Sequence, residues 1–371
     1  MTTPAQDARK ALDAAKRIVV KIGSRAIVQG DVPGQGRFQS MADQIAAVHA
    51  LGRTVILVSS GAVAMGVQRL GLPTRPKLLP ELQAAAAIGQ ARLIESYEAA
   101  FAKHGKHVAQ VLLTHAEVAD RKRYLNARAA MDAMIELGAV PIINENDTIS
   151  TEELQFGDND QLAAMVAPLA GADLLVLLTD VEGLLDPNKQ RIPIVSDFDA
   201  VQKLIWPKEN ELSLGGMASK VAAAQRACQV GIPVVIAPAR DGDILRKIST
   251  GEDAGTLFLP AGAALASRKY WIAYTLKMRG TVVVDDGAVK ALTVSKRSLL
   301  PIGIVESRGE FRSGDAISVV TRDGRELARG LARYDSRDVQ KLCGVRSEEI
   351  EQRLGFYRGD EIIHRDDLVV L

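Results

Sequence analysis

Cysteine is nearly missing from this 371-residue chain. Cys228 and Cys343 lie far apart and form no CxxC pair. That excludes a disulfide framework and a cysteine-based zinc site, and it suits a reducing cytosol. Histidine is scarce too, with five in all. His104 and His107 are the one close pair, and no HExxH-type ligand spacing surrounds them. Aromatic residues make up only 4%, so the core must rest on Ala, Val, Leu and Ile. No apolar run is long enough to span a bilayer. The polar, Ala-rich opening MTTPAQDARKALDAAKR has no apolar core of a signal peptide, and we expect a cytoplasmic protein. Neither sign of charge dominates: 46 basic residues face 45 acidic ones. Bulk charge therefore gives no reason to expect nucleic acid or an anionic membrane as the main partner.

What is present is 47% hydrophobic and 25% charged residues, the balance of a soluble globular protein with room for two domains. Short apolar runs alternate with helical patterns. Expected strands are Arg17–Ile22, Thr54–Ser59, His107–Leu113, Ala139–Ile143, Asp173–Thr179 and Pro233–Ala237. Several are apolar on both faces, as in a parallel sheet buried between helix layers. The 3.6-residue period marks helices at Phe38–Leu51, Pro80–His104, Tyr124–Leu137, Asn159–Ala170 and Met217–Gly231. The expected fold is α/β, a mostly parallel open sheet between helix layers, with a small β-rich domain at the C-terminus. The pattern changes at Gly251–Ala266, which reads as loop and linker. We expect a first domain over 1–260, a linker over 261–274 and a second domain over 275–371. The second holds strands Thr281–Val284, Ala316–Val320 and Leu368–Leu371, and helices Ser336–Cys343 and Ser347–Leu354. Asp286-Gly287 and Asp323-Gly324 read as turns.

Polar clusters after strands matter most, because ligands of such sheets sit beyond the strands' carboxyl ends. The first strand ends in VVKIGS, where Lys21 and the Gly23-Ser24 turn can meet a phosphate. The second runs into SSGAVAMG at Ser59–Gly66, whose small residues let a ligand approach the backbone. No glycine stands two places before either serine, so this is not a G-x-S-x-G nucleophile elbow. NENDT at Asn144–Thr148 and FGDNDQ at Phe156–Gln161 flank one loop. Their amides both donate and accept, which suits a zwitterion. Their carboxylates can hold an ammonium, orient lysines or bind Mg²⁺. Asp158 has a plainer role open to it as a helix N-cap. LLTDVEGL places Thr179 and Asp180 at another strand end. LGGMASK at Leu214–Lys220 opens a helix whose free N–H groups favour phosphate, with Lys220 one turn in. It is not a Walker A loop, and Gly34-Gln35-Gly36 lacks the third glycine of a dinucleotide fingerprint.

In this order and at these separations, the six motifs closely resemble the amino acid kinase family. NARAAMDAM at Asn126–Met134 and GTLFLP at Gly255–Pro260 extend the likeness. NEND followed by GDND is similar to the glutamate-phosphorylating branch rather than to those acting on acetylglutamate, aspartate or uridylate. The final segment looks like a PUA domain. The resemblance implies that Lys21 and Lys220 contact ATP phosphates and that Asp160 holds both lysines in place. It implies that Ser60, Asp147 and Asn159 bind glutamate. Thr179 and Asp180 would line the nucleotide site, with Gly215, Gly216, Met217, Ala218, Ser219 and Lys220 looped over the phosphates. Mg²⁺ would accompany ATP. The implied reaction yields γ-glutamyl phosphate, the first step of proline biosynthesis, with proline as feedback inhibitor. A homo-oligomer, dimer or tetramer, is also implied. One departure stands out: Leu214 occupies the place of a threonine in the family's T-G-G-M-x-T-K, so that side chain offers phosphate no hydroxyl.

Two other readings compete. An acetylglutamate or nucleotide monophosphate kinase would need an acyl pocket or a base-binding surface in place of the NEND–GDND loop. An RNA-binding protein is suggested by the PUA-like end. Residues 281–371, however, hold 15 basic and 16 acidic side chains, a poor balance for binding a phosphate backbone.

Overall fold

The computed structural model describes residues 8–28, 35–150, 159–205, 216–260, 269, 272–273 and 276–371. The chain divides into two compact units, Met1–Ala264 and Leu265–Leu371. Most of the expected linker, and with it Leu214, Gly215 and Phe156–Asp158, lies outside the described residues.

The first unit is built on eight strands: β1 Arg17–Ile22, β2 Thr54–Ser59, β3 Val108–Leu113, β4 Val140–Glu145, β5 Leu174–Thr179, β6 Ile194–Val195, β7 Val234–Pro238 and β8 Thr256–Phe258. Their order across the sheet is β3-β4-β2-β1-β5-β7-β8-β6. All neighbours are parallel except β7 and β8. The carboxyl ends of β1, β2, β4 and β5 therefore open on one edge, with β1 between β2 and β5. Helices α1 Gln35–Ala50, α2 Ala62–Arg69, α3 Leu79–Ala102, α4 Arg121–Glu136, α5 Asn159–Leu169 and α6 Met217–Gln229 cover the sheet. Side chains alternate between its two faces. Ile18 and Val20 join a core with Ile45 and Tyr97, while Val19 joins another with Leu162 and Ala223.

Two expectations change in this unit. The fourth strand does not stop at Ile143 but runs through Asn144 and Glu145, which pair with Leu112 and Leu113 of β3. The stretch read as loop and linker contains β8, which pairs antiparallel with β7. Residues Gly61–Gly66 also serve packing as well as ligand approach. A Cβ on Gly66 would lie 1.7 Å from the Ala85 carbonyl oxygen, and one on Gly89 1.8 Å from that of Ala62. Only hydrogen at both positions lets α2 and α3 approach this closely.

The second unit carries β9 Gly280–Val284, β10 Ile304–Gly309, β11 Ala316–Val320, β12 Glu326–Leu331 and β13 Leu368–Val370. Their order is β10-β9-β11-β12-β13, and only β9 and β11 run parallel. Val282, Ile317, Tyr334 and Ile350 belong to a core of its own. Asp286-Gly287 is not a turn. It opens helix α7 Asp286–Thr293, because the Asp285 carboxylate caps the start by accepting from the Ala288 N–H at 2.7 Å. Asp323-Gly324 does form the β11–β12 turn, with Gly324 at φ +87°.

Candidate active site

Three charged side chains from separate parts of the chain meet beyond the sheet's carboxyl edge. Lys21 comes from β1, Asp160 from the first turn of α5, and Lys220 from the first turn of α6. Lys21 Nζ lies 2.6 Å from Asp160 Oδ1, and Lys220 Nζ lies 3.0 Å from Asp160 Oδ2. Asp160 has no solvent exposure, and the lysines are 4% and 7% exposed. Two buried ammoniums thus converge on one carboxylate. Such a cluster is poised for an anion with several oxygens.

Asn159, next to Asp160, faces a cavity of about 260 Å³. The two hydrogens of Asn159 Nδ2 are shared among three acceptors, the Ser59 carbonyl at 2.8 Å, Ser60 Oγ at 2.8 Å and Asn144 Oδ1 at 3.0 Å. Ser24, Ser60, Asn144, Glu145, Asp147, Arg75 and the Gly61–Ala64 backbone also line the cavity. Gly61 begins α2 in a left-handed conformation at φ +114°, and has no side chain of its own to cap the helix start. The N–H end of α2 therefore points its positive partial charge at the cavity.

The Asp147 carboxyl is pushed up to about 6, first by burial and then by the charge of Glu145, with Arg75 opposing. Glu145 is itself buried and accepts from Ser150 Oγ at 2.8 Å. The wall holding Asp147 is thus acidic and poorly solvated, a setting that favours a cationic ligand group.

Of the residues singled out from sequence, Lys21, Asp160 and Lys220 touch directly, and Ser60, Asp147 and Asn159 share the cavity. Thr179 is buried at the end of β5, where its hydroxyl donates to Asp180 Oδ1 at 3.1 Å. Gly216 precedes α6 and has no side chain of its own to cap the start, and Met217, Ala218 and Ser219 belong to the first turn. Gln90 and Arg75 were not singled out from the sequence, and Asn144 and Glu145 were read only as part of the NENDT cluster, with no role of their own. Gln90 had a signal: it is a polar residue on the face of α3 that also buries Ala86, Leu93 and Tyr97.

The model of the amino acid kinase family matches residues 16–238, more than half of the chain. The chain belongs to the amino acid kinase family. The PUA domain model matches residues 280–354. Similar curated proteins include the glutamate 5-kinase of Pelobacter propionicus, 45% identical, with 96% of this chain and 98% of that one covered. The glutamate 5-kinase of Chromohalobacter salexigens is 47% identical, with 98% of each chain covered. Among solved structures, a carbamate kinase from Giardia lamblia bound to AMP-PNP aligns with a TM-score of 0.49 at 18% identity, over 67% of this chain and 99% of its own.

Proposed function

We propose that this member of the amino acid kinase family transfers the γ-phosphoryl group of ATP to the γ-carboxylate of L-glutamate. The product is γ-glutamyl phosphate, and the step is the first of proline biosynthesis. The observation that carries the reading is the pair of buried ammoniums, joined through Asp160, beside a cavity lined by amides and carboxylates. Near-complete coverage by glutamate 5-kinases supports the choice of acceptor.

The chemistry asks for placement and positive charge more than for covalent help. The acceptor carboxylate is ionised at neutral pH, so no general base is needed. Lys21 and Lys220 approach the transferring group and offset the charge on its equatorial oxygens. Asp160 accepts a hydrogen bond from Lys220 and pairs ionically with Lys21, and so aims both. Asp147 and the free Oδ1 of Asn159 receive the substrate ammonium, and the start of α2 with Ser60 receives its α-carboxylate. Thr179 and Asp180 at the end of β5 border the nucleotide, and the start of α6 from Gly216 to Lys220 is assigned to its phosphates.

ATP enters such a reaction with a divalent metal, and we take that metal to be Mg²⁺. Among the described residues no three His, Cys, Asp or Glu side chains form a metal cage. Both oxygens of Asp160 already face lysines. These donors suit an ion carried on the phosphate oxygens of ATP rather than one resident in the protein.

No helix among the described residues is long and apolar enough to cross a membrane. We read the protein as cytoplasmic, as a homo-oligomer (dimer or tetramer), and as subject to inhibition by proline at the glutamate cavity. The deciding experiment is ADP release dependent on L-glutamate, with hydroxylamine trapping the acyl phosphate. Turnover with N-acetylglutamate or a nucleoside monophosphate, and none with L-glutamate, would reject the assignment.

A further inference from the structure

The amides behind the cavity form a relay whose direction is fixed at one end. The Ser59 carbonyl is a main-chain oxygen and can only accept, so the group 2.8 Å away on Asn159 must be its Nδ2. The same Nδ2 faces Asn144 at 3.0 Å, so Asn144 must present its Oδ1 there. Asn144 then turns its Nδ2 outward, and Gln90 Oε1 accepts from it at 2.8 Å. Gln90 lies in the middle of α3, 8% exposed, and is not among the residues lining the cavity. Its own Nε2 is buried and has no hydrogen-bond partner among the described residues. A buried amide kept with its donor half unsatisfied carries a cost that packing alone would remove by using an apolar side chain.

We infer that Gln90 is a positioning residue for the acceptor site, holding Asn144 and through it the Asn159 amide in the one orientation that offers Oδ1 to the ligand. This rests on the glutamate reading above. The relay leaves Asn159 Oδ1 as the free acceptor of that amide, the atom type that a substrate ammonium seeks. Without Gln90 Oε1, the Asn144 amide is held only by its contact to Asn159 Nδ2, so it is less firmly placed and supports the Asn159 amide more weakly. The lysine pair is held separately, by Asp160, so ATP should not sense the change.

The test compares full-length wild type with Gln90→Leu, Gln90→Met and Gln90→Glu. The first two remove the acceptor oxygen at similar size, and the third keeps it. Initial rates are measured while L-glutamate and ATP are varied separately, and melting temperatures are recorded beside them. We expect the Leu and Met variants to raise the KM for L-glutamate about five- to tenfold, the effect of one hydrogen bond. The KM for ATP should stay unchanged, and the melting temperature should hold, since one buried orphan replaces another. Gln90→Glu should return the glutamate KM toward the wild-type value. An unchanged glutamate KM, an equal rise in both KM values, or no recovery with Glu overturns the inference. A wild type that turns over ATP without responding to L-glutamate removes the substrate reading and this inference together. Glutamate turnover with unmoved variants removes the inference alone.

Discussion

Asp160 is held by two ammoniums, one on each oxygen, in a place water does not reach. The physical consequence is that the lysines are aimed before any ligand arrives. Lys220→Ala should lower kcat by about 100-fold or more, the usual loss when one charge-stabilising contact to a transition state is removed. A variant with wild-type kcat would take Lys220 out of the chemistry. Asp147 behaves differently, since its folded environment resists ionisation and holds its carboxyl up to about 6 instead of 3.8. The resulting penalty on the folded state is absent below about pH 4, grows as pH rises, and is complete above about pH 6. Asp147→Asn should therefore stabilise the ligand-free protein at pH 8 by about 1–2 kcal/mol, after allowance for partial solvent screening. That gain should vanish below about pH 4. The same substitution should raise the KM for glutamate far more than that for ATP. In the wild type, the glutamate KM should climb as pH falls through about 6, when Asp147 takes up its proton. Thermal melts across pH and separate KM profiles would check both halves.

At the scale of elements, the contact between α2 and α3 sets the cavity wall. α2 supplies the N–H end, α3 supplies Gln90, and Gly66 and Gly89 let their backbones meet. Alanine usually favours a helix over glycine by about 1 kcal/mol. At Gly89 the new methyl would stand 1.8 Å from the Ala62 carbonyl oxygen, a main-chain atom that cannot swing aside. Gly89→Ala should thus destabilise the protein by about 1–3 kcal/mol, as overpacking does, and should raise the glutamate KM by displacing the start of α2. Gly36 in α1 has nothing within 4 Å of its would-be Cβ, so Gly36→Ala should be neutral or mildly stabilising. Equal melting temperatures for the two variants would contradict the packing account.

Element boundaries also show what the sequence made legible. β1, β2 and β5 read directly, because continuous Val, Ile and Leu admit no other buried element of that length. From sequence, β4 stops two residues short, at Ile143 rather than Glu145, because Asn and Glu are poor strand formers. Pairing with β3 and the partners Gln90, Asn159 and Ser150 kept them in the ladder. β10 and β12, rich in Glu, Arg and Gly, carry no apolar run, and only their sheet neighbours define them. β8 is three residues long, too short for a period to register.

At the scale of the whole molecule, each unit has its own sheet and its own core. The site described here draws on the first unit alone. A fragment ending at Ala264 should therefore unfold cooperatively and keep glutamate-dependent ADP release. Loss of activity in a folded fragment would assign the second unit a part in catalysis. The order of motifs along the chain was enough to determine the strand–helix alternation, the family and the acidic, amide-rich character of the site, because those follow from local composition and spacing. Contact between Lys21, Asp160 and Lys220, the polarity of the Gln90–Asn144–Asn159 relay and the raised Asp147 carboxyl were decided only by folding. Each depends on distances across β1, β4, α3, α5 and α6 and on the exclusion of water between them, and neither quantity exists until distant segments pack.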